Sequence, residues 1–378
     1  MFRDLADPEL FGNEAGEDED VDILASYFLE KSEFEQFYGD KKKLAFVRAR
    51  KGMGKSALLA YTQFQRQQAD SAGIYIYVKA SDLNSIQNTS NITASDMIYG
   101  WQQKICTRIN LELGMTLRTG FDDDSIYLIE AAEIAGFRKR NIISALFDRL
   151  NVKGGGIDVS RSRVAPTDSQ AVLERIHNKK DVNVWMFIDD VDATFINTEE
   201  ERIRVSTFFS ACRNLVNGVS GLSLRASVRS DVWSILAQHD EALDKCEQYM
   251  LDLSWSTEDT GRILERKIHS YLMRYYPDNH LYNKLDLVRN RNEIRHVVFK
   301  EPFSWANRPL ESFRPIHILS AGRPRWAAQL CKHAGKDALS KNSYKISAGN
   351  VRREFNFEVQ FPIKNQAAFR SSSKTTCG

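Results

Sequence analysis

The sequence predicts an α/β fold: a parallel sheet flanked by helices, with an inserted helical and hairpin subdomain and a C-terminal helical lid. Three observations predict it. LAFVR (44–48) is a short apolar run ending at the glycine-bearing turn ARKGMGKS, and SALLAYTQFQRQQA (56–69) continues with helical spacing. VNVWMFIDD (182–190) is a longer apolar run that ends in carboxylates. Strand-like and helix-like segments alternate around these landmarks, as they do where helices join parallel strands.

Taken in order, GNEAGEDEDVD (12–22) is acidic and poor in large apolar groups, and is expected to be a mobile arm. ILASYFLEKSEFEQFYG (23–39) spaces its aromatics and leucines helically and reads as a helix beside the first strand. IYIYVKA (74–80) reads as a second strand. From about 84 to 180 the simple alternation lapses. SDMIYGWQQKICTRINLEL (95–113) and NIISALFDRL (141–150) read as helices, and NVKGGGIDVSRSRV (151–164) as a small surface hairpin. That length is too great for one loop, so an inserted subdomain is expected. EEERIRVSTFFSACRNLV (199–216) is the helix after the carboxylate strand, followed by the strands LSLRASV (222–228) and YMLDLSW (249–255) around a short helix.

Beyond Trp255 the pattern is mostly helical. Ser256 and Asp259 form a variant capping box ahead of GRILERKIHSYLMRYY, and Pro302, Pro309 and Pro315 interrupt the next stretch. Pro324 falls in the first turn of RWAAQLCKHAGKDAL, where proline is tolerated. The expected organisation is an acidic arm and helix over 1–40, a nucleotide-binding core over 41–254, a helical lid over 255–356 and a frayed tail over 357–378.

The 378 residues suffice for two domains, and 42% hydrophobic with 27% charged content is a globular balance. No apolar run approaches the roughly 18 residues of a membrane helix, and MFRDLADPEL is no secretory signal, so a cytoplasmic protein without a membrane partner is expected. The five cysteines form no CxxC and the seven histidines no HExxH, which excludes a disulfide frame and a structural zinc. Net charge is +2, unevenly spread: residues 1–40 hold 13 Asp/Glu against 2 Lys/Arg, the remainder 37 against 50. An acidic arm on a mildly basic body is the plain reading; the sharper one is a basic surface meant for a polyanion such as nucleic acid. RKRN (138–141), RNRNEIRH (289–296) and NVRREF (350–355) are basic, but none carries a known nucleic-acid motif.

A phosphate loop needs backbone N–H groups turned inward, glycines that permit the turn, a lysine on the terminal phosphates and a hydroxyl on Mg²⁺. Arg50, Lys51, Gly52, Met53, Gly54, Lys55, Ser56 and Ala57 supply such a set, with Ala49 where the strict GxxxxGK[ST] pattern has glycine. In WMFIDDVD, Asp189 is placed to hold Mg²⁺ together with Ser56, and Asp190 to orient an attacking water, with Asp192 a third acid nearby. Arg229, just past the next strand, is placed to sense the γ-phosphate or, alternatively, to pair with Asp231. In SAGRPRWAAQL (320–330) a helix start brings Arg323 and Arg325 to one spot, where one of them closes over the nucleotide or both form a surface basic pair. NKKD (178–181) imitates a guanine-reading motif but precedes the carboxylate strand, so adenine is the expected base.

From about residue 12 to 355 the chain resembles P-loop ATPases of the AAA+/STAND type, in particular bacterial ones found in antiviral and mobile-element settings. ARKGMGKS corresponds to their Walker A, WMFIDD to their Walker B and Arg229 to their strand-four sensor. Their GxPR turn, here GRPR, makes Arg325 a second sensor. Asp190 stands where many AAA+ members have glutamate, and no arginine finger is evident beyond Arg202, Arg204 and Arg213. The resemblance implies an ATP- and Mg²⁺-dependent ATPase or ATP-gated switch, acting as a homo-oligomer or on an effector protein. The alternative is a nucleic-acid- or protein-binding module with a vestigial nucleotide site; the carboxylates of WMFIDD favour the first.

Overall fold

The computed structural model describes residues 2–13, 18–83, 93–116, 183–305 and 307–358, with isolated positions at 128, 170, 173 and 177. In chain order the main helices are α1 (Val21–Tyr27), α2 (Lys55–Ala69), α3 (Ala94–Thr116), α4 (Glu199–Gly218), α5 (Ser230–Ala237), α6 (Thr257–Tyr275), α7 (Arg291–Val298), α8 (Phe313–Leu319), α9 (Pro324–Ser340) and α10 (Ala348–Glu358). The strands are β1 (Leu44–Ala49), β2 (Ile74–Lys79), β3 (Val184–Asp189), β4 (Leu222–Arg229), β5 (Met250–Asp252), β6 (Phe303–Trp305) and β7 (Arg308–Leu310). The chain divides into a sheet unit, Glu33–Arg48 with Thr62–Asp252, and a helical unit, Met1–Ser32 with Ala49–Tyr61 and Leu253–Gly378.

In the sheet unit, five strands lie in the order β2-β3-β4-β1-β5. β2 pairs in parallel with β3, β3 with β4, and β1 with β5. This is the α/β class expected from the alternation of strands and helices. All six residues of β3 are buried, because both faces of the strand are covered; hence VWMFID is apolar throughout instead of alternating. Met186 and Ile188 share a core with Trp101 and Ile105 of α3 and Phe208 and Phe209 of α4. The Trp101 indole N–H donates to the Arg204 carbonyl at 3.0 Å, which registers α3 against α4. The other face of β3 carries Trp185, with the guanidinium of Arg225 4.6 Å and that of Arg66 4.8 Å from its ring centre.

The helical unit has its own core, built from Leu264, Ile268 and Leu272 of α6, Ile294 and Val298 of α7, Phe313 and Ile316 of α8, and Leu330, Cys331 and Ala334 of α9. The capping box at the start of α6 is formed: the Ser256 hydroxyl accepts from Asp259 N–H and the Asp259 carboxylate accepts from Ser256 N–H. Pro324 occupies the first turn of α9. Arg295, fully buried, is satisfied by Glu265, Glu301 and Glu311.

Two expectations require correction. Where it is described, the acidic segment is hydrogen-bonded within itself: Asn13 N–H donates to the Glu19 carboxylate, and the Asp20 side chain caps α1. The residues before it, Phe2, Leu5, Leu10 and Phe11, are at most 5% exposed and belong to the helical core. Charge content hid four apolar anchors spaced through the first eleven residues. The helix expected over 23–39 is broken after α1: Phe28 stacks on Tyr61 at 4.1 Å, Glu30 accepts from the Tyr61 hydroxyl, and Lys31 donates to the Ser254 carbonyl. Tertiary contacts made by residues 28–31 override helical spacing there. The proline-interrupted stretch holds a hairpin, with Trp305 opposite Arg308 and Asn307 in the left-handed region at φ 61°.

α3 covers the helix expected over 95–113. The helix expected over 141–150, the hairpin over 151–164, the NKKD loop and most of the tail lie outside the described residues. Among the described residues, Cys106, Cys212, Cys246 and Cys331 are buried free thiols, no cluster of three or more His, Cys, Asp or Glu side chains offers a metal site, and no helix is long and apolar enough to cross a membrane.

Candidate functional site

β1 ends at Ala49, and the chain turns through Arg50–Gly54 before entering α2 at Lys55. Gly52 sits at φ 83° and Gly54 at φ 95°, conformations that L side chains rarely adopt; a Cβ on Gly54 would meet nothing within 4 Å. Backbone freedom, not crowding, is therefore what glycine supplies there. Ala49 is 2% exposed in strand conformation and is absent from the residues of positive φ, so the chain leaves the strand without needing glycine. Met53 N–H donates to the Arg50 carbonyl at 3.3 Å, closing the turn. The Lys55 ammonium lies 3.4 Å from the Ala49 carbonyl, folded back over the turn. Arg50 and Lys51 are exposed, and Met53, Ser56 and Ala57 are partly so. The turn opens a helix of 15 residues whose N-terminus favours anions.

Within the helical unit this loop is met by the GRPR turn. Ala321 and Gly322 both have positive φ, and Arg323 leads into α9. The Arg325 N–H donates to the Gly52 carbonyl at 3.3 Å. The Arg323 guanidinium lies 4.0 Å from the Trp326 ring centre, its Nε buried without a hydrogen-bond partner. Burial, and secondarily the charge of Arg50, lowers the Arg323 pKa from its ordinary value. The Trp255 indole N–H donates to the Met53 carbonyl at 2.8 Å. Loop, GRPR turn and Trp255 are thus one hydrogen-bonded cluster.

Within the sheet unit, the end of β3 presents the acids. Asp189 is fully buried. Its Oδ1 accepts from the Ser227 hydroxyl and, at 3.0 Å, from Asp190 N–H; its Oδ2 accepts from the Tyr77 hydroxyl at 2.9 Å. Oδ2 keeps one further acceptor position. Mg²⁺ asks a protein for one or two carboxylate or hydroxyl oxygens and takes the rest from water and phosphate, so the Asp189 carboxylate is a donor of the right kind. Asp190 has φ 55°. Aspartate tolerates that left-handed conformation better than longer side chains, which gives a backbone reason for Asp instead of Glu at this position.

Arg229 ends β4. Its N–H donates to the buried Asp192 carboxylate at 3.0 Å, and its guanidinium pairs with Asp231, with Asp192 3.7 Å away. The Asp231 hydrogen bond is the main reason its pKa is raised. This is the alternative geometry named for Arg229, so contact with a phosphate would require the side chain to share or leave Asp231. Of the residues considered as fingers, Arg204 pairs with Glu201 and the Arg202 guanidinium donates to Asn197.

Ser227, Tyr77 and Trp255 were missed from sequence. Ser227 and Tyr77 reach Asp189 only through strand register: Ile188 pairs with Ala226, which puts Ser227 opposite Asp189, and Lys79 pairs with Asp189, which puts Tyr77 two residues back on the same face. Ser227, near the end of the run LSLRASV, was the available signal. Trp255 carried none, since its partner is a backbone carbonyl about 200 residues earlier in the chain.

No family model matches the sequence, and no curated protein matches it. Among solved structures, the ORC2 protein of Aeropyrum pernix in its ADPNP–ADP complexes is similar at TM-score 0.41 and 12% identity, over 89% of this chain and 66% of that one. The A. pernix ORC1 protein in complex with DNA is similar at 0.39 and 14%, over 90% and 64%, and Drosophila ORC bound to DNA at 0.39 and 11%, over 88% and 63%. The chain spans just under two thirds of the length of each. At these identities and scores, any functional reading rests on this chain's own residues.

Proposed function

We propose that the protein binds ATP through Arg50–Ala57 and works as an ATPase or an ATP-gated switch, coupling nucleotide state to self-assembly or to activation of a partner. The observation that carries the reading is the loop: two positive-φ glycines, a lysine and a serine at the start of a 15-residue helix. Ser56 and Asp189 would hold Mg²⁺, which when bound neutralises charge on the β- and γ-phosphates. Asp190 would orient the attacking water; Arg229 and Arg325 would report the γ-phosphate to the rest of the chain. The STAND-type resemblance favours a place in bacterial antiviral defence, and the basic body leaves room for a nucleic-acid partner.

Titration calorimetry of the full chain with MgATP tests this. Wild type binds, and Lys55→Ala weakens binding about 10- to 100-fold, the worth of a charge-assisted contact of about 1.5–3 kcal/mol. A Lys55→Ala protein that bound and hydrolysed ATP like wild type would remove the basis of the proposal.

A further inference from the structure

We infer that Trp255 is a positioning residue for the phosphate loop: its indole N–H fixes the Met53–Gly54 peptide so that the Gly54 N–H faces the phosphates. The inference rests on the ATP-binding reading above and adds a residue to it. A peptide group is planar and trans, so its C=O and N–H point in opposite directions. The Trp255 indole holds the Met53 carbonyl at 2.8 Å, well inside hydrogen-bond range. With that oxygen held by the indole, the Gly54 N–H is directed to the opposite side, away from Trp255. The neighbouring peptide is fixed as well: its Gly52 carbonyl accepts from Arg325 N–H, and its Met53 N–H donates to the Arg50 carbonyl.

Glycines at 52 and 54 make this outside grip necessary. A loop with two residues of positive φ has several backbone states of similar energy, and a phosphate would have to select one of them at a cost in affinity. Trp255 is itself held in place. The Lys31 ammonium lies 5.4 Å from its ring centre and donates to the Ser254 carbonyl at 3.1 Å, and the capping box begins at the next residue. Gly322 of the GRPR turn packs beside the Trp255 carbonyl, where an added Cβ would come to 3.7 Å. The loop's hydrogen-bonding geometry is thus set by the segment that leads into α6 and by the start of α9.

The test uses the full-length protein and two variants, Trp255→Phe, which keeps an aromatic ring and removes the donor, and Trp255→Leu, which removes both. Each is titrated with MgATP and with inorganic tripolyphosphate, and each is melted without ligand. The expected result is a Kd raised about five-fold for both ligands in both variants, with unchanged stoichiometry, the worth of one ordinary hydrogen bond. Trp255→Phe is expected to keep the wild-type melting temperature and Trp255→Leu to melt lower. A Trp255→Phe protein with wild-type affinity for both ligands overturns the inference, as does a loss seen with ATP and not with tripolyphosphate, or a loss confined to Trp255→Leu. Failure of wild type to bind either ligand overturns the ATP-binding reading itself, and this inference with it.

Discussion

Asp190 shows how one dihedral angle decides a residue type. At φ 55° a β-branched or long side chain would be strained by about 1–2 kcal/mol, whereas Asp fits and brings its carboxylate. From the sequence, Asp190 was only a departure from the glutamate common in the family it resembles; the backbone gives the reason. Lys267 is a different case, unreadable from sequence because its position looks like any other helical lysine. It is 7% exposed, with its ammonium 4.0 Å from the Tyr27 ring centre. Burial pushes its pKa down to about 7, with Lys332 adding to the shift and Glu19 opposing it. The unfolded chain therefore binds more protons between about pH 7 and the ordinary lysine value, and this group makes stability rise with pH across that window. Below about pH 7 its unfavourable contribution is complete and constant. Lys267→Met is expected to raise the melting temperature at pH 6–7 and to flatten the rise between pH 7 and 10. Parallel melting-temperature profiles for wild type and variant would contradict this.

At the scale of elements, legibility followed locality. β1, α2, β3 and α4 were readable because apolar runs, glycines and carboxylates announce them within a few residues. The capping box at Ser256 and Pro324 at the start of α9 were readable for the same reason. Arg225 was not. It lies in the middle of β4, in a run that reads as an apolar strand, yet its guanidinium is fully buried. It donates to the carbonyls of Phe37, Gly39, Lys42, Lys43 and Leu224. The turn that delivers the chain into β1 thus closes around one side chain, and every guanidinium N–H is used. Lysine has three donors and no planar fork. Arg225→Lys therefore leaves carbonyls without partners, and is expected to cost about 2–4 kcal/mol in urea unfolding followed by circular dichroism. A cost below about 1 kcal/mol would mean that water replaces the missing donors.

For the whole molecule, the proposed switch predicts a change of assembly with nucleotide. Sedimentation with and without MgATP is expected to show a shift in size for wild type, made persistent by Asp190→Asn, which removes the carboxylate proposed to orient the water and keeps a residue that tolerates φ 55°. No shift in either protein would leave a constitutive oligomer or a monomer. The division of the chain has a separate consequence, for synthesis on the ribosome. Phe2, Leu5, Leu10 and Phe11 find their partners in helices that begin at Thr257 and continue to Ser340. Gly335 belongs to the same join, since a Cβ there would meet the Leu5 carbonyl at 2.0 Å. At roughly 5–20 residues per second, residues 2–11 wait on the order of 10–50 s for that partner segment to begin. The sheet unit, Glu33–Arg48 with Thr62–Asp252, is synthesised in full during the wait. These apolar side chains are thus covered only after residue 257 has been made, and a nascent chain stalled before that point would carry them exposed.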